Sequence, residues 1–179
     1  TATALITITD VDLPGVIKFT PDKYSVSEGV ASGQVTLTVK RTGGTGGGVL
    51  VDYLTHNGTA VGGDGGAGTD FVERSGTLTF LFGNTSATIT IPIRQDTLAE
   101  GNETFTVELL RARTANGDLP AAVLPTPGRI ATVTIVDDES AFQFSAPTFS
   151  GKEGTANAII TVLRTGTLTS PATVTYNAA

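Results

Sequence analysis

The residues of this chain most able to do chemistry are carboxylates in the polar segments between short apolar stretches. These segments contain Gly, Asn, Asp and Pro, which is typical of connections between β-strands. In a sandwich whose successive strands reverse direction, alternate connections lie at the same end. The connections after the first, third and fifth predicted strands, and the end of the seventh, therefore form one acidic pole. Seven carboxylates are predicted there: Glu28, Asp70, Asp96, Glu100, Asp137, Asp138 and Glu139.

Crowded carboxylates repel one another, which raises their pKa values unless a cation lies between them. Ca²⁺ suits such a group because it accepts about six to eight oxygen ligands in irregular geometry. Mg²⁺ requires a tighter octahedron, and Zn²⁺ prefers His and Cys, whereas this chain has one His and no Cys. A second interpretation stays open, in which the acids are simply solvated or are partly neutralised by the nearby Arg74 and Arg94.

The elements that must position these carboxylates are predicted from alternating apolar and polar residues. Examples are VTLTV at 35–39 and ATVTI at 131–135, in which apolar residues alternate with Thr. Such alternation is typical of a strand with one buried face. Seven short strands favour an all-β, antiparallel, immunoglobulin-like β-sandwich. The predicted strands are residues 16–26, 33–41, 49–55, 76–82, 86–94, 103–110 and 129–136.

Composition argues against several functional classes. The net charge of −6, from 17 Asp+Glu against 11 Lys+Arg, is unfavourable for binding nucleic acid, which requires a basic surface. No apolar run approaches the roughly 20 residues that span a bilayer, so no direct membrane insertion is expected of this segment. The only histidine, His56, precedes Asn57-Gly58 in a predicted turn and is expected to be solvated rather than catalytic. We therefore expect a protein that is not an enzyme.

The chain also repeats itself at the scale of a whole domain. FTPDKYSVSEG at 19–29 returns as FSAPTFSGKEG at 144–154, and ATALITITDVD at 2–12 resembles RIATVTIVDDE at 129–139. A period of this size indicates domains in series rather than a solenoid. Incomplete repeats would leave strand edges unpaired, so strand exchange or self-association through them is expected. The predicted units are the last strand of a preceding repeat (1–13), a complete domain (15–139) and the first strands of a following repeat (141–179).

Several motifs make the family resemblance specific. KYSVSEG at 23–29, GTDF at 68–71 and ITIPIRQDTLAEGNETFTVEL at 89–109, followed by ATVTIVDDE at 131–139, resemble the Calx-β domain in order and spacing. The resemblance implies Ca²⁺ at one tip of the sandwich. The ligands it implies are Glu28, Asp70, Asp96, Glu100, Asp137, Asp138 and Glu139.

The chain departs from the exchanger members of this family at three positions. Gln95 and Thr97 stand where those domains have acids, and Glu139 replaces an Asp. Fewer acids imply weaker binding or fewer ions, so one or two ions are expected.

The resulting expectation is a calcium-binding structural or adhesive module of a tandem-repeat protein, with Ca²⁺ stiffening the junction to the neighbouring Calx-β repeats. The composition, rich in Gly and Thr and without Cys, favours an extracellular or cell-surface protein of bacterial origin. Two alternatives stay open: a calcium-independent spacer or adhesion domain, and the regulatory calcium sensor of an ion exchanger.

Overall fold

The computed structural model describes residues 13–66, 68–154, 157–168 and 171–177. Within these residues the chain forms eleven β-strands and one short 3₁₀ helix, Ala121–Val123. No helix among them has the length and apolar character needed to cross a membrane. The predicted terminal strand at 1–13 lies outside the described residues except for Leu13. The strands are β1 (Val16–Phe19), β2 (Lys23–Ser27), β3 (Gln34–Thr42), β4 (Val49–Asn57), β5 (Ser75–Phe80), β6 (Ser86–Pro92), β7 (Glu103–Thr114), β8 (Gly117–Asp118), β9 (Ile130–Val136), β10 (Ser140–Phe144) and β11 (Val162–Gly166).

Two sheets form the main unit. The smaller has the strand order β1-β3-β6, and the larger has the order β2-β9-β7-β4-β5 with β8 paired to β7. The described pairs are antiparallel except for β2 and β9, which run parallel. The predicted all-β, immunoglobulin-like sandwich is confirmed, with this one parallel pair as an addition.

The prediction of a single first strand at 16–26 is wrong. β1 joins the smaller sheet and β2 joins the larger one, with Pro21 between them. Proline has no N–H to donate to a strand ladder, so pairing is interrupted there and the chain changes sheets. β7 is also longer than predicted, because it continues to Thr114.

The inward faces of the two sheets form an apolar core. In β3 the sequence alternation becomes an alternation of burial, with Val35, Leu37 and Val39 inward. Phe71, which follows the predicted ligand Asp70, stacks on Phe105 with ring centroids 4.0 Å apart. Removing such side chains from water stabilises the fold by about 25 cal/mol per Å².

A buried arginine closes the end opposite the acidic pole. Arg41 occupies an inward position of β3 and is 1% exposed. Its guanidinium donates to the carbonyl oxygens of Pro14 (2.7 Å), Gly46 (2.6 Å) and Gly47 (3.2 Å). These bonds tie the segment that enters β1 to the β3–β4 loop, and they satisfy a charged group whose burial would otherwise be costly.

The β10–β11 hairpin repeats the register of β1 and β3. Phe19 pairs with Val39, and their counterparts in the sequence repeat, Phe144 and Val162, pair with each other. Phe19 and Val39 are 3% and 0% exposed, whereas Phe144 and Val162 are 60% and 46% exposed. In the described part of the chain, the hairpin therefore has the pairing of a domain's opening strands without an opposite sheet to bury them.

Candidate metal site at the acidic pole

The fold brings all seven predicted carboxylates to one end of the sandwich. They come from four segments that are distant in sequence but lie at the same ends of their strands. Within the described residues, six carboxylates form two compact groups, and in each group one oxygen per residue lies within 4.8 Å of the others. The segments are the end of β2 (Glu28), the β4–β5 connection (Asp70), the β6–β7 connection (Asp96, Glu100) and the end of β9 (Asp137, Asp138, Glu139).

The first of these, the Glu28 group, consists of Glu28, Asp138 and Glu139. The side-chain amide of Gln95 donates to Glu139 Oε1 at 2.6 Å. Gly29 lies beside this group, and a Cβ there would lie 2.5 Å from Asp138 Oδ2, so a larger residue would require that side chain to move. The glycine after Glu28 thus lets the carboxylate of a distant strand approach the backbone closely.

The second, the Glu103 group, consists of Asp70, Glu100 and Glu103. Glu103 is missing from the sequence-based prediction, which assigned it to a strand rather than to a loop. The available signal was its place as the first residue of a strand that begins at the acidic pole. Asp70 Oδ2 accepts a hydrogen bond of 2.7 Å from the N–H of Val61, which orients this carboxylate.

The two remaining carboxylates, Asp96 and Asp137, connect the groups. The N–H of Asp96 donates to Glu28 Oε1 at 3.0 Å. Asp137 is 5% exposed, and its two oxygens accept hydrogen bonds from the N–H groups of Gly101 (2.9 Å) and Glu139 (3.1 Å). These backbone donors hold the β6–β7 connection against the end of β9.

Asp96 and Asp137 act electrostatically on both groups. Burial is the largest cause that raises the pKa of Glu28, and the charges of Asp96 and Asp137 raise it further. Burial also raises the pKa of Glu100, and the charges of Asp96 and Asp137 raise it further. Because each group senses the same neighbours, the pole is one continuous site of negative charge.

Two carboxyl groups have strongly raised pKa values. The pKa of Glu103 rises to about 7 through burial, followed by its hydrogen bond with Asp70. The pKa of Glu139 also rises to about 7, through burial followed by its hydrogen bond with Asp137. Carboxyl groups normally titrate near pH 4, so the crowding of negative charge here is only partly relieved by the protein's own hydrogen bonds.

Two arginines, Arg74 and Arg94, lie close in sequence to the carboxylates of the pole. Arg94 donates to the backbone oxygen of Asp64 at 3.2 Å. Among the described residues, no ion pair joins Arg74 or Arg94 to a carboxylate of the pole. The interpretation in which the acids are solvated or partly neutralised stays open. Ion pairs of the described residues join other groups, namely His56 and Glu108, Arg129 and Glu108, Arg113 and Asp52, and Arg111 with Asp52 and Asp118.

The donor set determines which ligand the pole could hold. Both groups consist of carboxylates, and no His or Cys belongs to either of them. Hard oxygen ligands in irregular geometry suit Ca²⁺, whereas Zn²⁺ favours nitrogen and sulfur.

Proteins of known identity share this sequence pattern. The family model described as the Calx-beta domain matches residues 10–139 and 137–179. Sodium/calcium exchanger 3 of Mus musculus is 33% identical over 138 residues, which are 77% of this chain and 14% of that protein. Sodium/calcium exchanger 2 of Homo sapiens is 37% identical over 139 residues, again 14% of that protein and 72% of this chain. The chain therefore spans only a small part of these relatives.

Solved structures share the fold as well. The apo form of the Calx CBD1 domain has a TM-score of 0.57 and 33% identity, over 69% of this chain and 96% of that one. The structure described as calcium binding domain CBD12 of CALX1.1 has the same TM-score and identity, over 73% of this chain and 48% of that one. Since the family model covers nearly the whole sequence and one solved member is matched over almost its full length, this chain belongs to the Calx-beta domain family.

Proposed function

We propose that this chain is a calcium-binding module in which Ca²⁺ occupies the acidic pole. The observation that carries the proposal is the convergence of two compact carboxylate groups, in which burial raises the pKa values of Glu103 and Glu139. A divalent cation among them would replace repulsion by coordination and favour their ionised forms. The description of a solved relative as a calcium binding domain supports the same ion.

The proposed arrangement has two ions. One lies within the Glu28 group and the other within the Glu103 group. Asp96 and Asp137 are proposed to contribute between them, since their charges act on Glu28 of one group and on Glu100 of the other. The proposed ligands are the predicted Glu28, Asp70, Asp96, Glu100, Asp137, Asp138 and Glu139, together with Glu103.

The relatives favour a regulatory role over an adhesive one. Those named above are sodium/calcium exchangers. A calcium sensor within an ion-transport protein is therefore better supported than a structural module of a surface protein, and the proposed role is non-catalytic. The extracellular, bacterial setting expected from composition gains no support from these relatives and stays a prediction.

A contact with the following segment suggests how Ca²⁺ could be sensed. Thr167, after β11, donates through Oγ1 to the carbonyl oxygen of Asp137 at 2.5 Å and through N–H to that of Glu139 at 2.8 Å. The backbone of two proposed ligands is thereby attached to the β10–β11 hairpin. Coordination that orders Asp137 and Glu139 would restrict this junction, which is the proposed stiffening. The proposed units are those expected from sequence, namely 1–13, 15–139 and 141–179.

Neighbouring Calx-β repeats are the proposed partners. The exposed apolar residues of the β10–β11 hairpin support this, because their counterparts in the complete domain are buried. Strand exchange or self-association through the incomplete repeats stays a prediction.

Calcium titration tests the proposal directly. A ligand at one hundred times its dissociation constant stabilises the folded state by about 2.7 kcal/mol. For a domain of this size, that should raise the melting temperature by about 10 °C. We expect this shift, and binding heat in calorimetry, for the unaltered chain. Asp137→Ala should abolish both, and Asp70→Ala should remove the ion of the Glu103 group.

The matched control is Asp118→Ala, which removes an exposed acid in β8, away from the pole. It should leave the calcium response unchanged. Small-angle scattering of the same samples should show a narrower range of shapes with Ca²⁺. An absence of binding heat and of a melting shift would instead support the calcium-independent spacer.

A further inference from the structure

The strand β6 lies at an edge of the smaller sheet, and β3 is its only strand neighbour in the described part of the chain. The pair Thr38–Thr88 shows which way its backbone faces. Thr38 N–H donates to Tyr24 Oη at 2.8 Å, and Thr38 C=O accepts from Thr20 N–H at 3.1 Å, both on the side of β3 away from β6. Directly opposed antiparallel residues either exchange both bonds or both face away. The N–H and C=O of Thr88 therefore point out of the sheet edge.

The same direction recurs at every second residue of β6. Ser86 and Thr90 face the same way as Thr88, because backbone groups alternate sides along a strand. The carbonyl oxygen of Pro92 agrees with this alternation, since it accepts from Val72 N–H at 2.9 Å rather than from β3. Within the described residues, no hydrogen bond occupies the outward backbone groups of Ser86, Thr88 and Thr90. These three residues form an open edge, termed the β6 edge.

The β6 edge lacks the features that normally protect sheet edges, which are charged residues, prolines and covering segments. At the edge strand β1, Phe19 N–H donates to the carbonyl oxygen of Gly128 at 2.8 Å, so a neighbouring segment covers it. At the edge strand β5, Thr77 Oγ1 donates to Asp52 at 2.7 Å, and the ion pairs of Asp52 place charged groups beside that edge. The sequence of β6, SATITIP, has no charged residue, and its proline lies at the far end of the strand.

We propose that the β6 edge binds the β6 edge of a second copy of this chain, antiparallel about a two-fold axis at Thr88. In this register Thr88 faces its own counterpart and Ser86 faces Thr90, so each pair exchanges both of its N–H···O bonds. The same patch thereby serves both copies, as a two-fold interface requires. The two smaller sheets become one continuous sheet. The inference goes beyond the proposed calcium binding and does not depend on it.

The charge distribution favours a second copy in this orientation. β6 runs from the end of the sandwich closed by Arg41 to the acidic pole. Antiparallel pairing therefore sets the pole of one copy towards the opposite end of the other and keeps the two poles apart. Lys40, which pairs with Ser86 in β6 and with Lys18 in β1, lies at that opposite end. Such complementarity of charge steers association and selects its orientation.

Substitutions at Thr88 test the pairing, because this residue faces itself across the axis and its side chain is exposed. Thr88→Lys and Thr88→Glu should each weaken dimerisation at least about tenfold, since like charges then lie directly opposite each other. An equimolar mixture of the two variants should recover the dimer, because the facing charges are then opposite. Sedimentation equilibrium in EDTA, at up to about 1 mM protein, measures the dissociation constants of the unaltered chain and of each sample.

The matched controls are Thr77→Lys and Thr77→Glu, which make the same changes on the edge strand β5. Phe144→Ser, on the exposed face of the β10–β11 hairpin, separates the proposed contact from association through the incomplete repeat. All three controls should keep the dimer. A monomeric unaltered chain, loss of the dimer in any of these controls, or no recovery in the mixed sample would overturn the inference.

Should the Thr88 variants fail to fold, Thr90→Pro provides a second test. It removes one outward N–H, and its pair with Thr36 has no ladder bond to lose, because that pair faces away like Thr38–Thr88. Thr36→Pro is its control, since it removes an outward N–H from the same pair on the other side of the sheet. Only Thr90→Pro should weaken the dimer, and an equal effect of both substitutions would contradict the proposed interface.

Discussion

Phe71 is expected to couple core packing to cation binding, and Phe71→Ala tests that coupling. Its side chain is fully buried and stacks on Phe105 at 4.0 Å. Its backbone is held on both sides, by a hydrogen bond from Gly63 N–H at 3.0 Å and by a bridge to Ile93. Asp70, the preceding residue, is positioned in the Glu103 group through this anchor.

The expected magnitudes follow from this packing. A core Phe→Ala substitution costs about 3–5 kcal/mol, of which stacking accounts for about 0.5–1.5 kcal/mol. Total unfolding free energies are about 5–15 kcal/mol, so the variant should still fold. Without the anchor, calcium binding must itself order the backbone at Asp70, at about 1–2 kcal/mol per residue. Such a cost corresponds to an affinity weakened by a factor of about 5–30.

Phe80→Ala is the matched control. Phe80 is also fully buried, but it lies at the end of β5 opposite the acidic pole, paired with Val49. Urea unfolding in EDTA should show a similar loss of stability in both variants. Calorimetry should show weakened calcium binding only for Phe71→Ala. Equal weakening in both variants, or full affinity in Phe71→Ala, would refute the coupling. Should either Ala variant fail to fold, Phe71→Leu and Phe80→Leu provide the same comparison.

Two further predictions concern pH and the opposite end. The pKa values of Glu103 and Glu139, about 7 in the folded state, lie above the ordinary 4.5. Between pH 4.5 and about 7, the folded chain therefore binds more protons than the unfolded chain. The free energy of unfolding falls as pH rises through this range. In EDTA the melting temperature should be lower at about pH 7.5 than at about pH 5.5. Addition of Ca²⁺ should remove this difference. A melting temperature that rises with pH in EDTA would contradict the prediction. The ion pairs of Asp52 do not interfere, because its pKa of about 2 keeps it ionised throughout. Arg41→Met should lower the free energy of unfolding, measured in urea, by about 1–3 kcal/mol for each carbonyl left unpaired. Calcium affinity should not change. Weaker calcium binding at unchanged stability would count against a structural role for Arg41.

Many strands of this fold can be predicted from the sequence, because a strand with one buried face alternates apolar and polar residues with a period of two. VTLTV and ATVTI become strands with their apolar residues inward, as the alternation predicts. Reversal of strand direction then places alternate connections at one end, so Asp70 and Asp137 could be predicted as neighbours. The division of residues 16–26 between two sheets escaped this reasoning, because alternation on either side of Pro21 is the same whichever sheet each part joins.

The sequence by itself determined most of the strand-forming segments, the repeat, and the pole of the seven predicted carboxylates. These depend on local periodicity and on the order of connections. Only the tertiary structure decided that the acids form two groups, that Glu103 belongs to one of them, and that the amide of Gln95 faces Glu139. The physical reason is that distances between side chains from different strands depend on register and on close approaches such as that of Asp138 to Gly29, which no local pattern encodes.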